Sequence, residues 1–386
     1  MNIRFKIILR RTGRISAIAL VILAGFIFSA NSVQSSAEYT EGESPMQKIL
    51  NSPQWDGKRF KQIIPMVNPS FTQMIRDQFF GNEIRTPRQT LPQETADLTP
   101  FISSDTNQVN VTNAGHSSLL INIDGYRVMT DPVFEAKITP VGPSRFNKEI
   151  PVDIHALRAI DLVIISHNHY DHLNKYSIQT LDPEVAQFIV PLGVGAQLEK
   201  WGVSRSKIAE LDWWEEYAFD ENLTIVSTPS QHFSGRGLTD RNRTLWTSYA
   251  IISKNHRLYF SGDSGYFDGF AEIGAKYGPF DIAFMECGAY NTAWPTVHLF
   301  PEETVQASID VRAQHLYPIH WGTFNLAMHN WFDPMVRAQL AAATRGVSLL
   351  TPVLGQTLKH PDALTTTDWW TPFLPVEDIP LTEVTP

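Results

Sequence analysis

Leu162-Val163-Ile164-Ile165-Ser166-His167-Asn168-His169-Tyr170-Asp171-His172 opens with four aliphatic residues and closes with three histidines and an aspartate inside six positions. An apolar run of this length reads as a strand buried on both faces. The loop that leaves such a strand is where α/β proteins place functional side chains. His167 and His169 are two apart, so an extended loop turns both to one metal ion. A turn just after them aims Asp171 and His172 at a second ion. Imidazole and carboxylate without thiolate suit zinc, with manganese or iron as alternatives.

Further donors stand just past other apolar strands. His232 follows the strand read at 223–227, Asp263 the strand at 258–260, and His320 the strand at 315–318. All of them can converge on one sheet edge. The assignment that follows gives His167, His169 and His232 to one ion and Asp171, His172 and His320 to the other, with Asp263 as the bridge. Two ions so held, about 3.5–4 Å apart, lower the pKa of a shared water and hold the resulting hydroxide for attack. No Gly-x-Ser-x-Gly elbow competes for the role of nucleophile.

Short strands are also expected at 109–111, 119–123, 127–130, 188–190, 248–252 and 282–285, with a hairpin turn at Asp124-Gly125. Helices are expected near 176–181, 194–202, 268–277, 302–313 and 334–344. Strands interspersed with helices make an α/β protein of layered sheets with helices outside. Residues 106–360 form the hydrolase domain, 38–105 a partly helical N-terminal extension, and 361–386 a Thr- and Pro-rich C-terminal extension on the surface. Within the N-terminal extension, Phe71, Met74, Ile75, Phe79 and Phe80 recur at helical spacing after Asn68-Pro69-Ser70.

At 386 residues with a net charge of −9, the chain lacks the basic balance of a nucleic-acid binder. Cys287 is the only cysteine, so no internal disulfide forms; it reads as a buried small hydrophobe. Arg4, Lys6, Arg10, Arg11 and Arg14 precede an apolar run over 15–30, and Ser35-Ser36-Ala37 resembles a cleavage site. Residues 1–37 therefore read as a signal peptide or signal-anchor. The folded part is expected in the periplasm or anchored to the outer face of the cytoplasmic membrane.

The stretches at 165–173 (ISHNHYDHL), 190–193 (VPLG), 211–216 (LDWWEE), 228–232 (TPSQH), 260–266 (FSGDSGY), 277–281 (YGPFD), 288–290 (GAY) and 319–324 (IHWGTF) resemble the metallo-β-lactamase superfamily. More closely, they resemble its N-acylphosphatidylethanolamine-hydrolysing phospholipase D family. The resemblance spans about residues 106–360. It implies a four-layer αβ/βα sandwich with two zinc ions at one edge, held by the seven residues named above with Asp263 bridging. It implies hydrolysis of a phosphodiester to phosphatidic acid and an N-acylethanolamine, contact with a membrane surface, and a homodimer. His298 matches the family's histidine near the substrate phosphate, and Asp131 resembles a position that orients a metal-bound histidine. His116 is a candidate lining residue. The sequence departs from the family over the first 105 residues, and at Leu299-Phe300, where the family is more polar.

The remaining histidines, His155, His256, His315, His329 and His360, read as structural or surface residues, and Trp213 and Trp214 as packing residues. Other chemistries stay open. A lactonase of the ascorbate-phosphate kind keeps a similar metal set. A β-lactamase of the envelope is disfavoured by the carboxylate bridge. A non-catalytic scaffold is disfavoured by the complete ligand set.

Overall fold

The structure, a computed structural model, describes residues 44–67, 70, 72, 76, 81–362 and 364–375. The segment read as an export signal and the helix read at 71–80 lie outside the described residues, apart from isolated positions in the latter. Among the described residues no helix is long and apolar enough to cross a membrane.

Two seven-stranded sheets make up the centre. The first contains β1 (Val109–Gly115), β2 (Ser118–Ile123), β3 (Tyr126–Thr130), β4 (Ile160–Ile164), β5 (Val185–Pro191) and β6 (Ile208–Leu211). The second contains β7 (Glu216–Ala218), β8 (Leu223–Thr228), β9 (Ser248–Ser253), β10 (Arg257–Phe260), β11 (Phe280–Glu286), β12 (Ala313–Ile319) and β13 (Ser348–Leu349). β14 (Thr357–His360) returns to the edge of the first sheet, beside β1. In each sheet one half is antiparallel and the other parallel. β3 to β6 run parallel, as do β10 to β13.

The period of two explains the apolar runs. Leu162 and Ile164 point into the layer between the sheets, where they meet Ile225, Ile251, Phe260 and Ile282. Their neighbours Val163 and Ile165 point outward, under α2 (Lys175–Leu181) and α3 (Gly195–Lys200). In the second sheet Ile282 and Phe284 point inward, while Ala283 and Met285 pack under α4 (Gly269–Tyr277), α5 (Pro301–Asp310) and α6 (Asp333–Arg345). A strand covered on both faces must be apolar at every position. The result is the helix–sheet–sheet–helix sandwich expected from the sequence.

Asp124 and Gly125 form the expected hairpin turn, with φ of 51° and 90°, the pair of positive values that a tight two-residue hairpin requires. Asp124 also ties the sheets together at that end, reaching His256 Nδ1 (2.7 Å) and accepting from Ser253 Oγ (2.6 Å).

Two regions differ from expectation. The C-terminal stretch is not purely a surface extension: Trp370 is buried in the core under α5 and α6, and Trp369 stacks on Trp321 at 5.1 Å. The N-terminal stretch contributes α1 (Pro45–Asn51) and also buries Phe60, Leu91 and Phe101. Its Gln62 and Ile64 dock beside His232: Gln62 Nε2 donates to His232 O at 2.8 Å, and Ile64 N donates to Gln231 Oε1 at 2.8 Å.

Candidate metal centre

The parallel strands β4, β10 and β12 all end at one edge, and the candidate donors leave the chain there. His167 to His172 follow β4, Asp263 follows β10, and His320 is the residue after β12. His232 comes from the antiparallel β8, four residues past its end. A tight turn separates the two halves of the histidine motif: Leu173 N donates to His169 O at 2.8 Å and His172 N to the same oxygen at 3.2 Å. His167 and His169 therefore face one side and Asp171 and His172 the other.

The donor atoms fall into two groups that meet at Asp263. One comprises His167, His169, His232 and Asp263; the other comprises His116, Asp171, His172 and His320. Within each group, one donor atom per residue lies within 4.8 Å of all the others. Asp263 also reaches the second group, because its Oδ1 stands 3.3 Å from both His172 Nε2 and His320 Nε2. Asp171 Oδ2 lies 3.3 Å from His320 Nε2 and 3.5 Å from His172 Nε2. Four donors set tetrahedrally about 2.0–2.1 Å from a zinc ion stand about 3.3–3.4 Å from one another, so this group is spaced as ligands are. The first group brackets the same spacing. His169 Nδ1 is 2.7 Å from His167 Nε2 and 3.2 Å from His232 Nε2, and Asp263 Oδ2 is 3.6 Å from His232 Nε2 and 3.9 Å from His167 Nε2.

Unpaired polar atoms point to a cation. His172 Nε2, both ring nitrogens of His320 and Asp263 Oδ1 are buried and have no hydrogen-bond partner. Leaving such atoms unmade costs about 1–3 kcal/mol each, and a cation at the focus satisfies His172 Nε2, His320 Nε2 and Asp263 Oδ1 together; His320 Nδ1 points away from it. The imidazoles are also held from behind. Asp131 Oδ2 is 2.7 Å from His172 Nδ1, Val297 O is 2.8 Å from His232 Nδ1, and Ser166 Oγ is 2.9 Å from His167 Nδ1. Each of these rings is thereby turned with Nε2 forward. Asp131 in turn accepts from Ser166 N (2.7 Å) and Ser166 Oγ (2.6 Å), which links the two halves of the support.

The electrostatics agree. Burial pushes His116 down to about 3 and His169 down to about 4, and it holds His167 and His232 well below the usual imidazole range. His167, His169 and His232 are thereby favoured in the neutral form that keeps a lone pair for a metal, while the Nε2–H of His116 faces Asp171 Oδ2. Burial also opposes charge on His172 and His320, but the Asp263 and Asp171 carboxylates overcome it; His172 rises well above its ordinary value and His320 rises to about 10. The carboxylates thus hold positive charge at this focus, and in the ion's absence protons supply it.

The local backbone is strained. His116, Asp131 and His320 adopt φ of 61°, 33° and 68°, a region that costs non-glycine residues on the order of 1–3 kcal/mol. Gly288 lets the segment after β11 pass close against the backbone of His320: a Cβ there would stand 1.7 Å from His320 O.

Residues 126–321 match the family described as Beta-lactamase superfamily domain. The chain belongs to the metallo-β-lactamase superfamily. This superfamily member is 47% identical over 273 residues to an uncharacterized protein of Mycobacterium tuberculosis, covering 69% of this chain and 73% of that one. It is 36% identical over 233 residues to the N-acyl-phosphatidylethanolamine-hydrolyzing phospholipase D 1 of Caenorhabditis elegans, covering 56% of this chain and 65% of that one. Among solved structures, the isothiocyanate hydrolase from Delia radicum gut bacteria superposes with a TM-score of 0.53 at 18% identity, over 66% of this chain and all of that one (100%). The superfamily member is a metal-dependent hydrolase.

Each candidate site residue singled out in the sequence has a place among the described residues. The seven expected donors come together. His116 joins the second group, with Nε2 3.0 Å from Asp171 Oδ2 and its ring 3.9 Å from that of His320. His298 stands beside the first group, its ring 5.0 Å from that of His232. The other histidines make separate contacts: His155 with Tyr176, His256 with Asp124, His315 with Ser348, His329 with Gly288 O, and His360 with Asp281. Trp213 packs on Trp246, and Trp214 stacks on Tyr277. Cys287 is fully buried.

Two residues at the candidate site escaped the sequence reading. Glu286 is wholly buried beside His298 and Asp263, and the three form a further cluster. The available signal was a glutamate closing the apolar strand Phe-Asp-Ile-Ala-Phe-Met-Glu. Arg236 braces the histidine loop, donating to Asn168 O and Leu173 O at 2.8 Å and lying 3.8 Å over the Tyr170 ring. Nothing in its local sequence marks it.

Proposed function

We propose that this chain is a dizinc phosphodiesterase of phospholipase D type, acting on N-acylphosphatidylethanolamine-like lipids on the envelope side of the cytoplasmic membrane. The observation that carries the reading is the pair of donor groups meeting at Asp263. His167, His169 and His232 would hold one ion and Asp171, His172 and His320 the other, with an Asp263 oxygen turned toward each. When bound, two such ions activate water and neutralise charge on a phosphoryl oxygen. Manganese and iron fit the same nitrogen and oxygen donors.

The chain's own residues supply the rest. Asp131, Ser166 and Val297 O fix the rings so that the donors stand in place before substrate arrives. His169, Asp171 and His298 are the partly exposed members, so substrate approaches from their side. His298, beside Asp263, is placed to contact a phosphoryl oxygen or the departing alkoxide.

Two observations support a lipid. The Caenorhabditis elegans relative carries that activity in its name. Next to His232, the docked N-terminal stretch exposes Ile63 (44%), Ile64 (36%) and Val67 (49%), an apolar rim suited to acyl chains and to contact with a membrane surface. A homodimer belongs to the same proposal, by likeness to that family.

Purified, metal-loaded chain offered bis(p-nitrophenyl) phosphate, an N-acylated phosphatidylethanolamine, nitrocefin and a homoserine lactone should turn over the two phosphodiesters. Turnover of nitrocefin or the lactone alone would sink the reading.

A further inference from the structure

Glu286 is a carboxylate at the metal edge that the ligand assignment leaves unused. It ends β11, which lies between β10 and β12 and runs parallel to both. Its terminus is therefore delivered to the edge that carries Asp263 and His320. The register pairs Glu286 with Ile319, one residue before His320. Ile282 and Phe284, four and two positions earlier, face the apolar layer between the sheets. A glutamate continuing that row must be compensated, because an ionised carboxylate is costly to bury without partners.

The partners are specific. Glu286 is 0% exposed. Its Oε1 stands 2.9 Å from His298 Nδ1, the shortest contact its carboxylate makes. The backbone N–H groups of Leu299 (3.2 Å), Ser264 (3.4 Å) and Ala289 (3.4 Å) surround the same carboxylate. Its backbone is clamped as well: Glu286 N donates to Ser261 Oγ at 2.9 Å, and Thr304 Oγ1 donates to Glu286 O at 2.8 Å. The loop before His298 is held independently, through the contact of His232 Nδ1 with Val297 O and by Gln231 Nε2 donating to Thr296 O at 3.1 Å.

We infer that Glu286 is the positioning residue of His298: it accepts the Nδ1–H, fixes tautomer and ring angle, and leaves Nε2 as the ring atom that meets substrate beside the metal centre. The hydrogen bond at one imidazole nitrogen determines which nitrogen carries the proton. A carboxylate can only accept here, so Nδ1 is the donor. The inference rests on the reading of His298 as substrate-facing.

Asp263, Glu286 and His298 also lie close enough to be considered a third cation site. The geometry favours the hydrogen bond instead. His298 Nδ1 is 4.0 Å from Asp263 Oδ2 but 2.9 Å from Glu286 Oε1, and the three backbone N–H donors around Glu286 oppose a cation there.

The test uses the full, metal-loaded chain and Glu286→Gln, which keeps the shape, with Glu286→Asp as the conservative variant. Read-outs are metal content, kcat and KM on bis(p-nitrophenyl) phosphate, and the His298 tautomer from two-bond 1H–15N correlations. Glu286→Gln should leave metal content unchanged, lower kcat about 10–100-fold with KM little altered, and shift His298 toward its Nε2–H form. Glu286→Asp should recover part of the loss. In a His298→Ala background, Glu286→Gln should have no further effect, since both act through one ring. Loss of metal, an unchanged tautomer, or an undiminished effect in the His298→Ala background would each overturn the inference. If the wild-type chain cleaves no phosphodiester, the substrate reading fails, while the tautomer still decides the role of Glu286.

Discussion

Asp131 stands directly behind His172: its Oδ2 is 2.7 Å from His172 Nδ1, and both side chains are wholly buried. The pair joins β3 to the histidine loop and sets the angle at which Nε2 meets Asp263. Outer partners of this kind typically change metal affinity by about 10–100-fold. Asp131→Asn should therefore bind metal more weakly by that factor while the fold persists. Competition with a chelator of known affinity, read beside circular dichroism, checks this. Unchanged affinity would show that the contact does not support a ligand.

Asp263 is the residue through which the two donor groups meet, with Oδ1 toward His172 and His320 and Oδ2 toward His232. Asp263→Asn keeps the volume but removes the charge that would face both ions of the proposed pair. Metal content should fall below two ions per chain, and phosphodiester hydrolysis should drop by at least about 100-fold, the scale of losing a main electrostatic stabiliser. Elemental analysis and rate measurement on one preparation decide it; near-normal activity would refute the bridge.

Gly288 separates a packing argument from a chemical one. A Cβ at this position would meet His320 O at 1.7 Å and His320 C at 2.5 Å. Both are backbone atoms that cannot rotate away. Gly288→Ala should cost about 1–3 kcal/mol or more and displace His320, weakening metal binding at the group it serves. Thermal unfolding with and without metal tests this: the melting gain on adding metal should shrink relative to wild type, and an equal gain would contradict it.

Metal loading should release protons. In the metal-free chain the Asp263 and Asp171 charges outweigh burial and hold His172 well above its ordinary value and His320 up to about 10. Both rings are then protonated at neutral pH, whereas a metal takes only the neutral ring. Binding near pH 7 should release up to about two protons per chain. The release should diminish as pH rises toward the His320 value, and apparent affinity should increase over the same range. Calorimetry in buffers of differing ionisation enthalpy measures it; no buffer dependence near neutrality would argue against ligation by these rings.

The donor set was legible because each member follows an apolar run long enough to read as a strand, and parallel strands deliver their ends to one edge. Leu162 to Ile165, buried from both sides, announced its own end. β6, β7, β13 and β14 were not legible. They are two to four residues long, all four are edge strands that pair on one side only, and Glu210 and Glu216 break the pattern. Trp370 was concealed in a Thr- and Pro-rich stretch whose composition says surface, although a single indole finds the core under α6. Glu286 was missed because a single carboxylate carries no spacing; only the sheet order shows that it arrives between Asp263 and His320.

The proposed chemistry is attack on phosphorus, and hydrolysis of an N-acylated phosphatidylethanolamine in 18O-labelled water measures that directly. The account predicts one 18O in the phosphate of phosphatidic acid and none in the N-acylethanolamine. Label in the N-acylethanolamine or in a released fatty acid, or turnover confined to the lactone and nitrocefin, would contradict it.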